Sequence, residues 1–490
     1  MDIESEIRER IEEPTDGKPF LPNDAIDELT ARRNVREYLR ANCQYLPKDA
    51  NIDSLVRYVT DEDNPARRVF LILAHCDCVQ HLSLLQQDGF YDADLPITKT
   101  WEKTAKRYRV HTNSRRKSQT QRSNRKLWHC FDRWKRSRDV EDFDTKQWRF
   151  MAPVFGADTF DYHLSPKCPL PITEESVSTR KVGYSGVVVS VKIHEAHIQD
   201  KYKGQQIAFK QLHPNMDAYY AQESEALRMI NELNNPHLIQ PLAAYTRGDR
   251  CGFFFPWANG GTLEDYWRNN PRPEGEANIR WVLNQLYGLS GATKALHQKN
   301  CRHTDLKPSN ILLFIEKELP GRLRIADVGL AKIHKDETTQ RERLNIITSA
   351  KTSTKRYEAP ELQQQVDQLS RVFDVWSLGC VFLEFLVWTC YGRSRVDRFI
   401  DLNTPFWHVS SGEYQRSLVV DELIDSLRSD IANNGGGTAL KRCLDFVDKR
   451  MLVPEYKNRA DASETRDEFR SIRTSESRNN GYFQNIALTG

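Results

Sequence analysis

At 490 residues, with 39% hydrophobic and 28% charged side chains and a formal charge of +3, the chain has the composition of a globular protein. It has room for roughly two to four domains of ordinary size. The small net charge gives no overall field that marks a nucleic-acid or membrane partner. The acidic start, Met1-Asp2-Ile3-Glu4-Ser5-Glu6, has no apolar signal region, so an intracellular protein, cytoplasmic or nuclear, is expected.

In chain order, residues 1–102 carry helical spacing, with Ile26, Leu29, Val35 and Leu39 on one apolar face and Val69, Phe70, Leu73, Cys76 and Val79 on another. Asn23 and Asn64-Pro65 look like helix starts, and the segment reads as a small helical module. The ten cysteines include no C-x-x-C pair. Cys76-Asp77-Cys78 between His75 and His81 lacks the second pair of ligands of a closed zinc site, so reduced thiols are expected. Residues 103–138 hold 14 Lys or Arg against one acidic residue, Asp132, and their centre, Asn113–Lys126, is nearly free of large apolar groups. That centre is expected to be a solvated, partly disordered insertion. Arg115-Arg116-Lys117 offers a nuclear-import or nucleic-acid patch as the alternative, but nucleic acid is not the expected partner.

An aromatic-rich bridge, 139–172, follows Trp128, Phe131 and Trp134 and adds Phe143, Trp148, Phe150 and Phe155. So many rings are expected to dock on the domain that follows. Residues 173–475 open with strand signals, Val187–Ile193 and then Ile207-Ala208-Phe209-Lys210, and turn helical from Tyr219 onward. Strands first and helices later imply an α+β domain of two lobes, about 173–258 and 259–475, with a tail at 476–490. Trp376–Cys390 is strongly apolar, too short for a bilayer and interrupted by Glu384, and is expected to be a buried helix.

Phosphoryl transfer asks a protein to position ATP, hold magnesium and orient a hydroxyl. Lys210, placed on the second strand of the small lobe, can pair with the α and β phosphates, and Glu223 on the next helix can hold that lysine. Asp305 can accept the substrate hydroxyl proton, and Lys307 can neutralise the transferring group. Asn310 and Asp327 supply oxygen ligands for the metal, and Gly329 frees the backbone to turn after Asp327.

The run His303-Thr304-Asp305-Leu306-Lys307-Pro308-Ser309-Asn310 resembles the catalytic loop H-R-D-L-K-x-x-N of the protein kinases, and Asp327-Val328-Gly329 resembles their D-F-G. Ala208-Phe209-Lys210, Ala359-Pro360-Glu361, Asp374-Val375-Trp376-Ser377-Leu378-Gly379 and Arg459 recur in family order. The resemblance implies a bilobal kinase fold, α+β, after a helical N-terminal extension, with ATP and Mg2+ as cofactors and a protein Ser/Thr hydroxyl as acceptor. It implies that Gly183, Gly186 and Val188 cover the phosphates, that Ala208 and Lys210 contact the nucleotide, and that Pro256 carbonyl and Ala258 N–H meet adenine beside Phe255. It also implies that Arg459 pairs with Glu361. Lys307 resembles the serine/threonine branch, and the overall style resembles kinases of filamentous fungi with a helical N-terminal extension. That extension is expected to pack on the kinase or recruit a protein partner.

Three positions depart from the pattern: Lys181 replaces the first loop glycine, Thr304 the arginine of H-R-D, and Val328 the phenylalanine of D-F-G. Without that arginine, activity is expected to depend little on phosphorylation of Thr338, Thr339, Thr348, Thr352 or Thr354. The alternatives to an active kinase are a pseudokinase or an ATP-binding scaffold or adaptor.

Overall fold

The computed structural model describes residues 2–113, 125–156, 159–183, 185–316, 320–327, 332–333, 355–362, 371–402, 404–433, 438–475 and 482–483. The expectations placed on 115–117, on most of the basic centre and the tail, on Val328 and Gly329, and on the five threonines lie outside these residues. The chain divides into two compact units. One is Met1–Val182 with Val187–Pro214 and Leu242–Phe254; the other is Gly183–Gly186 with Asn215–Pro241 and Phe255–Gly490.

The first unit begins with short helices α1 (Ile3–Arg10), α2 (Asn23–Leu29), α3 (Arg32–Ala41), α4 (Ile52–Val59), α5 (Arg67–His75) and α6 (Leu82–Asp88). Asp2 caps α1 by accepting from the Glu4 and Ser5 N–H groups. α3 buries Val35, Tyr38 and Leu39, spaced i, i+3, i+4, while α5 is buried continuously from Val69 to His75 and is therefore the central helix. An antiparallel sheet of β1 (Ile97–Glu102), β2 (Arg107–Asn113) and β3 (Arg125–Trp128) follows, then α7 (Ser137–Lys146). Trp128, Phe131, Trp134, Phe143 and Phe150 are buried in this helical core, whereas Phe155 belongs to the core of the sheet described next. All ten cysteines are free thiols.

That sheet has six strands: β4 (Asp161–Leu164), β5 (Ile172–Val182), β6 (Gly186–Ile193), β7 (Ile207–Leu212), β8 (Ala243–Arg247) and β9 (Arg250–Pro256), in the order β4-β8-β9-β7-β6-β5. Val189, Val191, Ile193, Phe209, Tyr245 and Phe254 form its core, with the rings of Phe209 and Phe254 stacked 4.8 Å apart. Two expectations are corrected here. Lys210 lies on the third of three successive strands, because β5, mostly exposed and polar, precedes the strand that starts at Gly186. Strands also return after the first helix of the kinase-like region: β8 and β9 form a hairpin over Gly248-Asp249, with Gly248 at φ +65°, a two-residue turn signal the sequence carries.

Residues 12–23 tie the helical core to the sheet. The Thr15 N–H donates to Ile172 O (2.9 Å), and the Asp16 carboxylate pairs with Arg247, whose guanidinium also donates to Cys168 O (3.1 Å). Phe20, fully buried, sets its ring edge-on to His194 and His197. His197 Nε2 accepts from the Asn23 N–H (3.1 Å), so its Nδ1–H donates to Pro153 O (3.0 Å). Burial pulls the pKa of this imidazole down to about 4, holding it neutral.

The second unit contains α8 (Asp217–Leu233), α9 (Leu263–Asn269), α10 (Gly275–Gln298), the short strands β10 (Cys301–Arg302), β11 (Ile311–Phe314), β12 (Arg322–Ile325) and β13 (Lys332–Ile333), and α11 (Val372–Tyr391). It continues with α12 (Arg393–Asp401), the hairpin β14 (Trp407–Ser410) and β15 (Glu413–Arg416), α13 (Leu418–Asn433), α14 (Thr438–Phe446) and α15 (Ala462–Thr474). β10 pairs with β13, and β11 with β12. The apolar stretch is longer than the sequence suggested. α11 has 20 residues, enough in length and composition to cross a bilayer, but 94% of its 18-residue apolar window is buried inside the protein. Glu384 stays in it because Arg356 and the Tyr357 hydroxyl both bond its carboxylate, at 3.0 Å.

Candidate active site

The loop between β10 and β11 carries Asp305, Lys307 and Asn310. Pro308, pre-set for the first position of a helical turn, opens a single 3-10 turn over Pro308–Asn310 that brings the three side chains together. Lys307 Nζ lies 2.8 Å from Asp305 Oδ2, and Asn310 Nδ2 donates to the same oxygen (2.9 Å) and to Asp305 O (2.8 Å). Both donors converge on Oδ2, so among the described residues Oδ1 remains to accept a proton. With its amide nitrogen committed to Asp305, Asn310 turns its side-chain carbonyl oxygen the other way.

Asp327 follows β12 after one residue, Ala326. The Ala326 N–H donates to Asn310 O (2.9 Å), and Ala326 O accepts from His303 Nε2 (2.8 Å). The fully buried His303 ring, whose Nδ1 accepts the Asp305 N–H, thus fixes both the proton acceptor and the start of the Asp327 turn. Asp327 sits at φ +58°, a left-handed conformation rare for residues other than glycine and common at functional sites. The Asn310 carbonyl and the Asp327 carboxylate are hard oxygen donors of the kind magnesium takes, so this donor set fits the metal.

One residue holding this loop was not assigned a role from the sequence. Asp374, fully buried at the start of α11, accepts from the His303 N–H (2.9 Å), the Thr304 N–H (2.9 Å) and His297 Nε2 (2.8 Å). Burial by itself would raise its pKa, but the His297 bond and charge, His303 and the Thr304 N–H hold it below the usual aspartate value. Its place at the head of the Asp374-Val375-Trp376-Ser377-Leu378-Gly379 run was the available signal. Thr304, in the arginine position, lies at φ +67°, strained for a β-branched residue and fixed there by Asp374. Farther along, Arg459 and Glu361 make the expected bidentate pair at 2.7 and 2.9 Å, both buried.

Glu223 is buried on α8 with Ala226, Leu227 and Ile230, the spacing of one helical face. Pro256 ends β9, and Ala258 accepts from the Gly261 N–H (3.1 Å) in the segment after it. Gly260 lies so close to β11 that a Cβ would meet Leu313 at 2.7 Å, which couples this segment to the strand following Asn310. Gly183 N–H donates to Gly186 O (2.8 Å), closing the glycine turn. In the other unit, Lys181 is exposed and pairs with Val188 in the β5–β6 ladder. Ala208 and the buried Lys210 lie on β7. A Cβ at Gly252 of β9 would come within 2.3 Å of Lys210 O, so this glycine, which sequence reasoning passed over, permits the close strand approach that seats the lysine.

Residues 180–465, more than half of the chain, match the model of the protein kinase domain. The chain belongs to the protein kinase family. The chain is 29% identical over 206 residues to mouse cyclin-dependent kinase-like 4, covering 41% of this chain and 55% of that protein. It is 28% identical over 243 residues to the serine/threonine-protein kinase SSN3 of Coccidioides immitis (strain RS), covering 46% and 50%. Human cyclin-dependent kinase 20 is 30% identical over 167 residues, covering 33% and 44%. The chain spans about half the length of the curated relatives it matches.

Proposed function

We propose that the protein is an ATP-dependent serine/threonine kinase that transfers the γ-phosphoryl group of ATP to a hydroxyl of a protein substrate. The observation that carries this reading is the joint hold of Lys307 and Asn310 on one oxygen of Asp305, with Asp327 tied to the same loop through Ala326. Asp305 takes the hydroxyl proton, and Lys307 supplies positive charge next to the transferring group. Magnesium, when bound, neutralises phosphate charge, and Asn310 and Asp327 would hold it. Lys210 is assigned to the α and β phosphates; Gly183, Gly186, Val188 and Ala208 to the nucleotide; Pro256 O and Ala258 N–H to adenine. Kinship with serine/threonine kinases and Lys307 in D-L-K-P-S-N support the hydroxyl class.

The test is transfer of radiolabel from ATP to a generic basic protein by the wild type and by Asp305→Asn. Loss of the base is expected to lower turnover by about 10²- to 10⁴-fold, with label recovered on serine and threonine. Equal label transfer by both proteins would refute the assignment. ATP-dependent thermal stabilisation with no transfer would identify a scaffold instead.

A further inference from the structure

A cavity of about 480 Å³ lies between α10, Arg466 of α15 and the segment 235–237 that follows α8. On α10 its lining recurs at Tyr287, Gly291, Lys294 and Gln298, spaced i, i+4, i+7 and i+11 on one helical face. The hollow exists because that face carries glycine. A Cβ at Gly291 would meet only Arg466 within 4 Å, its Nε at 3.8 Å, whereas a Cβ at Gly288 would run into the His237 ring at 2.1 Å.

The walls are held by bonds of their own. Arg466 Nη2 donates to the Tyr287 hydroxyl (3.0 Å), the His237 N–H donates to Asn235 Oδ1 (2.9 Å), and His237 Nδ1 donates to Leu323 O of β12 (2.8 Å). A preformed hollow of this size is what small-ligand sites require, and it leaves room for more than a bare ion.

Its chemistry is one-sided. Lys294 and Arg466 line it, and among the described residues no Asp or Glu does. Lys294 is half-buried and has no ion-pair or hydrogen-bond partner among the described residues. Arg466 is met by one carboxylate among them, that of its neighbour Asp467 at 3.3 Å, which is 60% exposed. Arg473 adds a further cation over the Tyr287 ring, 4.3 Å from its centre. With Asn235 Oδ1 taken by the His237 N–H, the Asn235 amide nitrogen is left to donate, and the Tyr287 hydroxyl, which accepts from Arg466, keeps its own hydrogen. His237 adds no charge, because burial pulls its pKa down to about 4. Two cations and two neutral donors around a space without a carboxylate suit a dianion with several acceptor oxygens.

We propose that this cavity binds a phosphomonoester, with Lys294 and Arg466 on the phosphate oxygens and Tyr287 and Asn235 donating beside them. The site shares no residue with those assigned to ATP and magnesium, and it does not rest on the kinase reading. A free phosphate ester and a phosphorylated side chain present the same group, so the experiment separates the two sources.

The full chain, in EDTA and without ATP, is titrated calorimetrically with glycerol 3-phosphate, with a phosphoserine peptide and with the same peptide unphosphorylated. Wild type is expected to bind at least one phosphorylated probe, and the tighter of the two names the source. Lys294→Met, which has no internal bond to lose, and Gly291→Leu, which fills the hollow without altering a charge, should each weaken binding by at least about tenfold, the worth of one hydrogen bond to a charged group. Lys294→Arg should keep most of the affinity. Lys210→Met, at the residue assigned to the nucleotide phosphates, should leave it as it is, and thermal unfolding checks that every variant is folded.

No binding of either phosphorylated probe at millimolar concentration would overturn the proposal. So would equal binding of the unphosphorylated peptide, or displacement of the probe by an equal concentration of acetate. Undiminished binding by folded Lys294→Met and Gly291→Leu would exclude the cavity as the place of binding. Loss in Lys210→Met alone would assign the probe to the nucleotide site and overturn the proposal as well.

Discussion

Replacing Asp374 by alanine removes three hydrogen bonds to a fully buried carboxylate, from His303 N–H, Thr304 N–H and His297 Nε2. Bonds to a charged group are worth about 1.5–3 kcal/mol each, and a buried donor left without an acceptor costs about 1–3 kcal/mol. Thr304 is also freed from a strained conformation, which returns about 1–3 kcal/mol. The net loss should be about 3–6 kcal/mol, a large share of the stability of an ordinary domain. Turnover should fall further than stability accounts for, because Thr304 relaxing from φ +67° rotates the backbone directly before Asp305. Asp374→Asn, which keeps one acceptor oxygen, should lie between alanine and wild type in both respects. The assay combines urea unfolding with label transfer measured where the variant is still folded, including KM for ATP. An alanine variant within about 1 kcal/mol of wild type, or one with full turnover, would refute the argument that Asp374 holds the catalytic loop.

Arg459→Met should cost about 3–5 kcal/mol, because it strands the buried Glu361 carboxylate, and adding Glu361→Leu should recover most of that; denaturation midpoints of the three proteins decide it. His197 is neutral in the fold with a pKa near 4, against about 6.5 unfolded, so its contribution is complete above about pH 6.5 and is lost as pH falls toward 4, by about 3 kcal/mol. His197→Gln, which can keep both bonds, should flatten that part of the stability profile; an unchanged slope would exclude His197 as its source. Phosphatase treatment of active protein should leave turnover unchanged, since Thr304 cannot bind an activation-segment phosphate as arginine would; abolished turnover would contradict this.

Much of the site was legible in the sequence because its chemistry is local. Asp305, Lys307 and Asn310 lie within six residues and meet through one turn, so their spacing fixes their convergence. The short strands were harder. β5 shows a mostly polar, exposed face, and β8 and β9 each contribute only a few residues to a helix-rich stretch, so periodicity alone passed over them although the Gly248-Asp249 turn was visible. The apolar run of α11 was recognised as buried and a helix start was read at Asp374 from the D-x-W-S-x-G pattern; the helix begins two residues earlier, at Val372, and ends at Tyr391.

The sequence by itself determined which side chains do the proposed chemistry, because residue type and short spacing set proton transfer, charge and ligand identity. Only the tertiary structure decided what holds them. Asp374 reaches the Thr304 N–H from 70 residues away, His303 meets Ala326 across 23, and Asp16 finds Arg247 across 231 to join the helical core to the sheet. Such contacts leave no periodic trace, since a buried polar group is satisfied by whichever donor the packing brings near, and only the folded backbone specifies which donor that is.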